Sequence, residues 1–112
     1  MRWKFVVSED PLIDFANGIR QSYFVTSDSE ISFVNVTDGR LYVLKLIVSP
    51  SKKITWKNDN NIILKFASGT KYEENTSDEI DIVYLGFYAE ETGTNAFTLN
   101  CIAMANEFEE IV

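Results

Sequence analysis

The sequence predicts an all-β protein, an antiparallel β-sandwich of jelly-roll type folded as a single domain over residues 1–112. Two observations carry that expectation. Val, Ile, Thr and the aromatic residues supply 43 of the 112 positions, against only 7 Leu and 6 Ala, so strand formers far outweigh helix formers. Turn signals also recur at short intervals: Asn17-Gly18, Ser27-Asp28-Ser29, Thr37-Asp38-Gly39-Arg40, Ser49-Pro50-Ser51, Asn58-Asp59-Asn60-Asn61, Ala67-Ser68-Gly69-Thr70 and Glu91-Thr92-Gly93-Thr94-Asn95. Many short strands at such spacing read as a sandwich or barrel.

Each segment between those turns has its own pattern. Residues 1–10 read as an N-terminal strand or anchor, and Tyr23-Phe24-Val25-Thr26 as an early strand. Ile31-Ser32-Phe33 and Ile54-Thr55-Trp56 alternate cleanly, which sends Ile31 and Phe33 to one face and does the same for Ile54 and Trp56. The run 41–48, Leu41-Tyr42-Val43-Leu44-Lys45-Leu46-Ile47-Val48, is almost continuously apolar, the mark of a central strand whose second face is also covered. Segments 80–88 and 96–104 flank the acidic, Gly-containing loop 89–95 and read as a closing antiparallel hairpin. Residues 106–112 form an acidic C-terminal tail in which Phe108 and Ile111 are the apolar positions.

Composition excludes several chemistries. The chain has no His, so it offers no imidazole base for a Ser or Cys nucleophile and no HExxH-type zinc site. One Cys, Cys101, rules out an internal disulfide and a multi-thiolate metal site; within Phe97-Thr98-Leu99-Asn100-Cys101-Ile102 it reads as a small buried apolar residue. Net charge of −7 has the wrong sign for a protein held on nucleic acid by phosphate contacts. No window approaches the roughly 18 consecutive apolar residues of a membrane helix, so no membrane partner is expected. The carboxylates Glu73, Glu74, Asp78, Glu79 and Asp81 lack the spacing of an EF-hand and read as a solvated loop that discourages strand-edge pairing. Neither a cofactor, a metal nor a catalytic residue is expected, and the chain is read as a non-enzyme.

Four pieces in order form a wider pattern: Asp38-Gly39-Arg40-Leu41-Tyr42-Val43-Leu44-Lys45-Leu46, Lys53-Ile54-Thr55-Trp56-Lys57-Asn58, Leu64-Lys65-Phe66-Ala67-Ser68-Gly69-Thr70, and Asp78-Glu79-Ile80-Asp81-Ile82-Val83-Tyr84. Across roughly residues 30–100 this resembles a β-rich module of bacteriophage tail fibres and other virion appendages, where a dGxxYxL strand precedes an itWpsnvkw strand, a gGtaP loop and a xxDvitf strand. The chain departs from that pattern at Asn58, where Pro is common, at Ser68-Gly69-Thr70-Lys71, which lacks a second Gly and a Pro, and in its last hairpin, which has no Trp-Tyr pair.

The resemblance implies a bacteriophage virion structural protein, made in the cytoplasm of a bacterial host and residing in the virion. Because Met1 opens the chain and little lies outside the module, the expectation is a small free-standing head-decoration, head-fibre or tail-accessory protein. Its expected partners are copies of itself in a homotrimer, together with other capsid or tail proteins. Leu41, Val43, Leu44, Leu46, Val48 and Trp56 are the expected oligomer contacts, since a continuous apolar strand offers more surface than a small core covers. Trp56 reads equally as a core side chain. Trp3 and Phe5 are the candidate virion anchors. The alternative function is a carbohydrate- or host-receptor-binding module, with Tyr84, Tyr88, Thr92 and Asn95 as contacts for a bacterial surface glycan.

Overall fold

A computed structural model describes residues 4–106 as nine strands and one short 3-10 turn. The strands are β1 (Val6–Ser8), β2 (Leu12–Asp14), β3 (Arg20–Val25), β4 (Ser29–Val34), β5 (Leu41–Val48), β6 (Ile54–Trp56), β7 (Ile62–Phe66), β8 (Asp81–Gly93) and β9 (Ala96–Ala105), with the 3-10 turn at Phe15–Asn17. Six strands form one sheet in the order β1-β3-β5-β8-β9-β7, and three form the other in the order β2-β4-β6. The all-β expectation stands.

The antiparallel jelly-roll expectation does not. Five of the seven strand pairings among the described residues are parallel: β1 with β3, β2 with β4, β3 with β5, β4 with β6, and β7 with β9. The cause is connectivity. From β1 to β7 the chain alternates between the two sheets, and two successive crossings restore its direction, so every second strand lies beside its predecessor and parallel to it. The result is a flattened coil. The expected antiparallel hairpin is present, as β8 and β9, and it is inserted between β5 and β7 to widen the last turn of the coil.

Turn chemistry matches the sequence signals. Gly39 and Gly69 adopt positive φ of 77° and 80°, in turns closed by Arg40 N to Thr37 O and by Thr70 N to Ala67 O. Ser49-Pro50-Ser51 is closed by Lys52 N to Ser49 O. The segment 89–95, expected as a loop, is mostly strand. Gly39 N donates to Ala89 O, Ala89 N to Arg40 O and Glu91 N to Asp38 Oδ1, so the turn before β5 holds the β8 arm extended as far as Gly93.

The core lies between the sheets. Ile13, Ile31, Phe33 and Ile54 of the small sheet meet Val25, Tyr42, Leu44, Leu46, Val48, Val83, Leu85, Phe87, Ala89, Leu99 and Cys101 of the large one. Its centre is aromatic: the Phe33 ring lies 5.5 Å from Phe15, 5.2 Å from Phe87 and 6.2 Å from Trp56, and Trp56 lies 5.2 Å from Phe66. Such pairs add to the area term rather than replace it.

Candidate functional site

Strand β5 settles which of the expected contacts can face a partner. Its side chains alternate, with Tyr42, Leu44, Leu46 and Val48 turned into the core and Leu41, Val43, Lys45 and Ile47 turned outward. Leu44, Leu46 and Val48 have no exposed surface, so their proposed role as oligomer contacts is corrected: the three-stranded sheet already covers them. Leu41, at 58% exposure, and Val43 stay on the outer face. Trp56 belongs to the core, packed on Phe33, Phe66 and Phe87, and its Nε1 donates 2.8 Å to Tyr72 O.

On the outer face of the six-stranded sheet, register aligns apolar side chains across strands. Phe24 pairs with Ile47 and Ile47 with Ile82, giving one row that crosses β3, β5 and β8. Phe24 is 52% and Ile82 39% exposed. The adjoining row, Val7-Ser22-Lys45-Tyr84-Ala105, includes exposed Val7. Beside it sits Phe5, whose ring is 6.1 Å from Tyr84, and Lys45 Nζ lies 5.8 Å and 5.5 Å from the centroids of these two rings. The Lys45 stem and ammonium group shield part of both aromatic surfaces. Phe5 is therefore part of this face, whereas Trp3 and the tail beyond Asn106 lie outside the described residues.

The expected glycan contacts do not converge. Tyr84 and Tyr88 share the outer face of β8, but Thr92 lies eight residues beyond Tyr84, about 26 Å along an extended strand. Asn95 occupies the tip of the hairpin with φ of 55°. What the fold does assemble around Tyr88 is a shallow depression of about 410 Å³, lined by Lys65, Glu90, Asn100 and Ile102 among others. Asn100 and Tyr88 face each other across β8 and β9, Lys65 follows on β7, and Asn100 Nδ2 donates to Tyr88 O (3.2 Å) and Glu90 Oε1 (3.0 Å).

The acidic segment is ordered by polar contacts of its own. Glu73 O accepts from Ile54 N, the main chains of Lys53 and Glu74 form an isolated antiparallel bridge, and Asp81 Oδ2 accepts from Tyr72 OH at 2.9 Å. Burial, reinforced by that hydrogen bond and by the carboxylate's charge, holds the Tyr72 hydroxyl well above the ordinary tyrosine range. Among the described residues, no three acidic or Cys side chains gather closely enough to hold a metal ion. Cys101 is buried, and burial raises its thiol despite opposing hydrogen bonds with Thr70 and Ala103, which is a poor setting for a nucleophile.

Two residues that organise the molecule escape sequence reasoning. Asn75 is buried, with Nδ2 donating to Val48 O (3.0 Å) and Glu79 O (2.8 Å) and Oδ1 accepting from Ser77 N (2.9 Å) and Ser77 Oγ (2.7 Å). Gln21 is buried between β1 and β5, with Nε2 donating to Asp14 O and Gly18 O. The one signal for either is a polar residue whose neighbours cannot satisfy it locally, and the sequence alone does not display that. No protein-family model, curated protein or solved structure matches the chain.

Proposed function

We propose that the protein acts by association, copies of itself meeting through the outer face of the six-stranded sheet, as a small structural component of a bacteriophage virion. The observation that carries the reading is the row Phe24-Ile47-Ile82 with Val7, Phe5 and Tyr84 beside it. Cross-strand neighbours give a monomer a modest gain from this row, whereas a second subunit also removes its exposed side chains from water at about 25 cal/mol per Å². Closed threefold symmetry limits such an assembly to a trimer. The virion assignment rests on the resemblance of residues 30–100 to fibre and appendage modules.

Light scattering at micromolar concentration tests the association. The expected mass is three times the 12.8 kDa chain, falling to one chain in a Phe24→Lys/Ile82→Glu variant. A parent protein that is monomeric overturns the reading. Purified chain added to heads or tails lacking it is expected to bind them stoichiometrically, and failure to bind either overturns the virion assignment. The glycan-binding reading is favoured by one observation, the Tyr88 depression, where an aromatic ring stands near an amide, a carboxylate and an ammonium group. Retention on a glycan array, abolished by Tyr88→Ala, is the outcome that supports it.

A further inference from the structure

The two ends of the coil are finished differently. At one end the edge strands are β6 and β7, and both are closed: Ile54 N donates to Glu73 O, Lys53 pairs with Glu74, Ile62 N donates to Asp59 O, and Leu64 N donates to Asn58 Oδ1 at 2.9 Å. At the other end the edge strands are β1 and β2, consecutive in the chain and each paired on one side only. Apart from Asp14 O, which accepts from Gln21 Nε2, no backbone group of β1 or β2 has a hydrogen bond on that open side among the described residues. Exposed strand edges are templates for a further strand, and proteins that do not use them block them. This chain blocks one pair and leaves the other open.

Between the open edges lies a cavity of about 600 Å³. Its apolar walls are Val6, Val7 and Leu12, all exposed, and its rim carries Glu9, Asp10 and Asp14 with no Lys or Arg among the lining residues. Gln21 also lines it, at 1% exposure. Both Nε2 hydrogens of Gln21 are committed to Asp14 O and Gly18 O, and its Oε1 accepts no hydrogen bond among the described residues. Asp14 Oδ1 already accepts from Ala16 N and Asn35 Nδ2, so the carboxylates left to a ligand are the exposed Glu9 and Asp10, which call for a positively charged occupant. They argue against a second copy docked here by twofold symmetry, since like carboxylates would then face one another.

We infer that the β1/β2 end is a docking site for an extended, basic segment of a partner protein, which adds as a strand beside Val6–Ser8 and sets a Lys or Arg beside Glu9 and Asp10. Main-chain hydrogen bonds supply the attachment, and the carboxylates select the charge. The site shares Val7 with the outer face, but its open main-chain edge and its carboxylates do not depend on the row Phe24-Ile47-Ile82.

The test is an amide chemical-shift titration of the isotope-labelled Phe24→Lys/Ile82→Glu variant, whose mass is recorded on the same sample so that the outer-face reading is judged separately. Two probe peptides of eight residues are used, one alternating Lys with Val and the other alternating Glu with Val. The expected result is saturable shifts at Val6–Ser8, Leu12–Asp14 and the Gln21 side-chain amide with the Lys peptide. Binding is expected to be on the order of 10-fold weaker for the Glu peptide and for an added Asp10→Lys change, and to weaken with salt. Asp10 is exposed, so that change leaves the core untouched. Absence of shifts up to millimolar peptide, equal response to both peptides, or shifts centred on the β7 edge would each overturn the inference.

Discussion

Replacing Asn75 by Asp changes one atom and reverses one polarity. In the native chain the Asn75 amide donates to two carbonyls, Val48 O and Glu79 O, while Oδ1 accepts from Ser77, and the Asn75 main chain bonds Ser51 N and Lys52 O. An aspartate keeps the acceptor side and turns a carboxylate oxygen towards both carbonyls. Two hydrogen bonds of about 1 kcal/mol each are lost, and leaving the buried partners unsatisfied costs about 1–3 kcal/mol more, for a total of about 3–5 kcal/mol near neutral pH. Burial and the facing carbonyls raise the new carboxyl above the value of about 3.9 it has in the unfolded chain, so between those two values the folded state binds more protons. Stability relative to the parent therefore rises as pH falls, because the protonated acid regains one donor. Urea denaturation followed by tryptophan fluorescence is the assay, since Trp56 Nε1 is bonded to Tyr72 O in the same segment. At a slope of about 2 kcal/mol per molar, the midpoint near neutral pH is expected to drop by about 2 M, with the gap narrowing near pH 4. Asn75→Ala should show a deficit that does not depend on pH. An Asp variant as stable as the parent, or a gap constant with pH, would refute the reasoning.

Three further outcomes follow from the same geometry. Phe33→Ala removes the ring at the centre of the aromatic core and is expected to cost about 3–5 kcal/mol, roughly 12–20 °C in melting temperature, while Leu41→Ala on the outer face stays within about 0.5 kcal/mol in the monomeric variant background; thermal denaturation checks both. Tyr72 is held protonated by burial and by Asp81, so its contribution is fully present below about pH 10 and decays as pH rises past that value; the alkaline loss of stability should be shallower in Tyr72→Phe than in the parent. Cys101 should react with a thiol reagent on the order of 100-fold more slowly in the native protein than in urea, and a fast native reaction would show that the β9 environment opens.

Much of the fold is legible from alternation and turn chemistry. Ile31 and Phe33 do share the buried face of β4, Ile54 and Trp56 both contribute to the core, and the last hairpin falls where its flanking apolar runs place it. Strand direction is not legible, because side chains alternate with the same period in parallel and antiparallel ladders and a short turn does not reveal whether the next strand joins the same sheet or crosses to the other. The same blindness explains the reading of β5. Its outward Leu41, Val43 and Ile47 make the run look buried on both faces, yet one face meets the small sheet and the other stays open. Around Tyr88 the sequence supplies the aromatic residue but not its companions, since Asn100 and Lys65 arrive from two other strands through register alone.

Alternating between sheets has a consequence for assembly. The coil makes the edge strands at each end consecutive in the chain, here β1 with β2 and β6 with β7. Because Asn58, Asp59 and the segment 72–75 close one end with side-chain and main-chain hydrogen bonds, strand addition is confined to the other. The molecule thus separates two kinds of contact by geometry. The outer sheet face offers apolar area suited to identical copies, and the open end offers directional main-chain groups and carboxylates suited to one extended, basic partner. Ile82→Glu acts on the face and Asp10→Lys on the end, and coupling between them passes through β1, whose Val7 belongs to both, and through β3, the strand that carries both Phe24 of the face and Gln21 of the end.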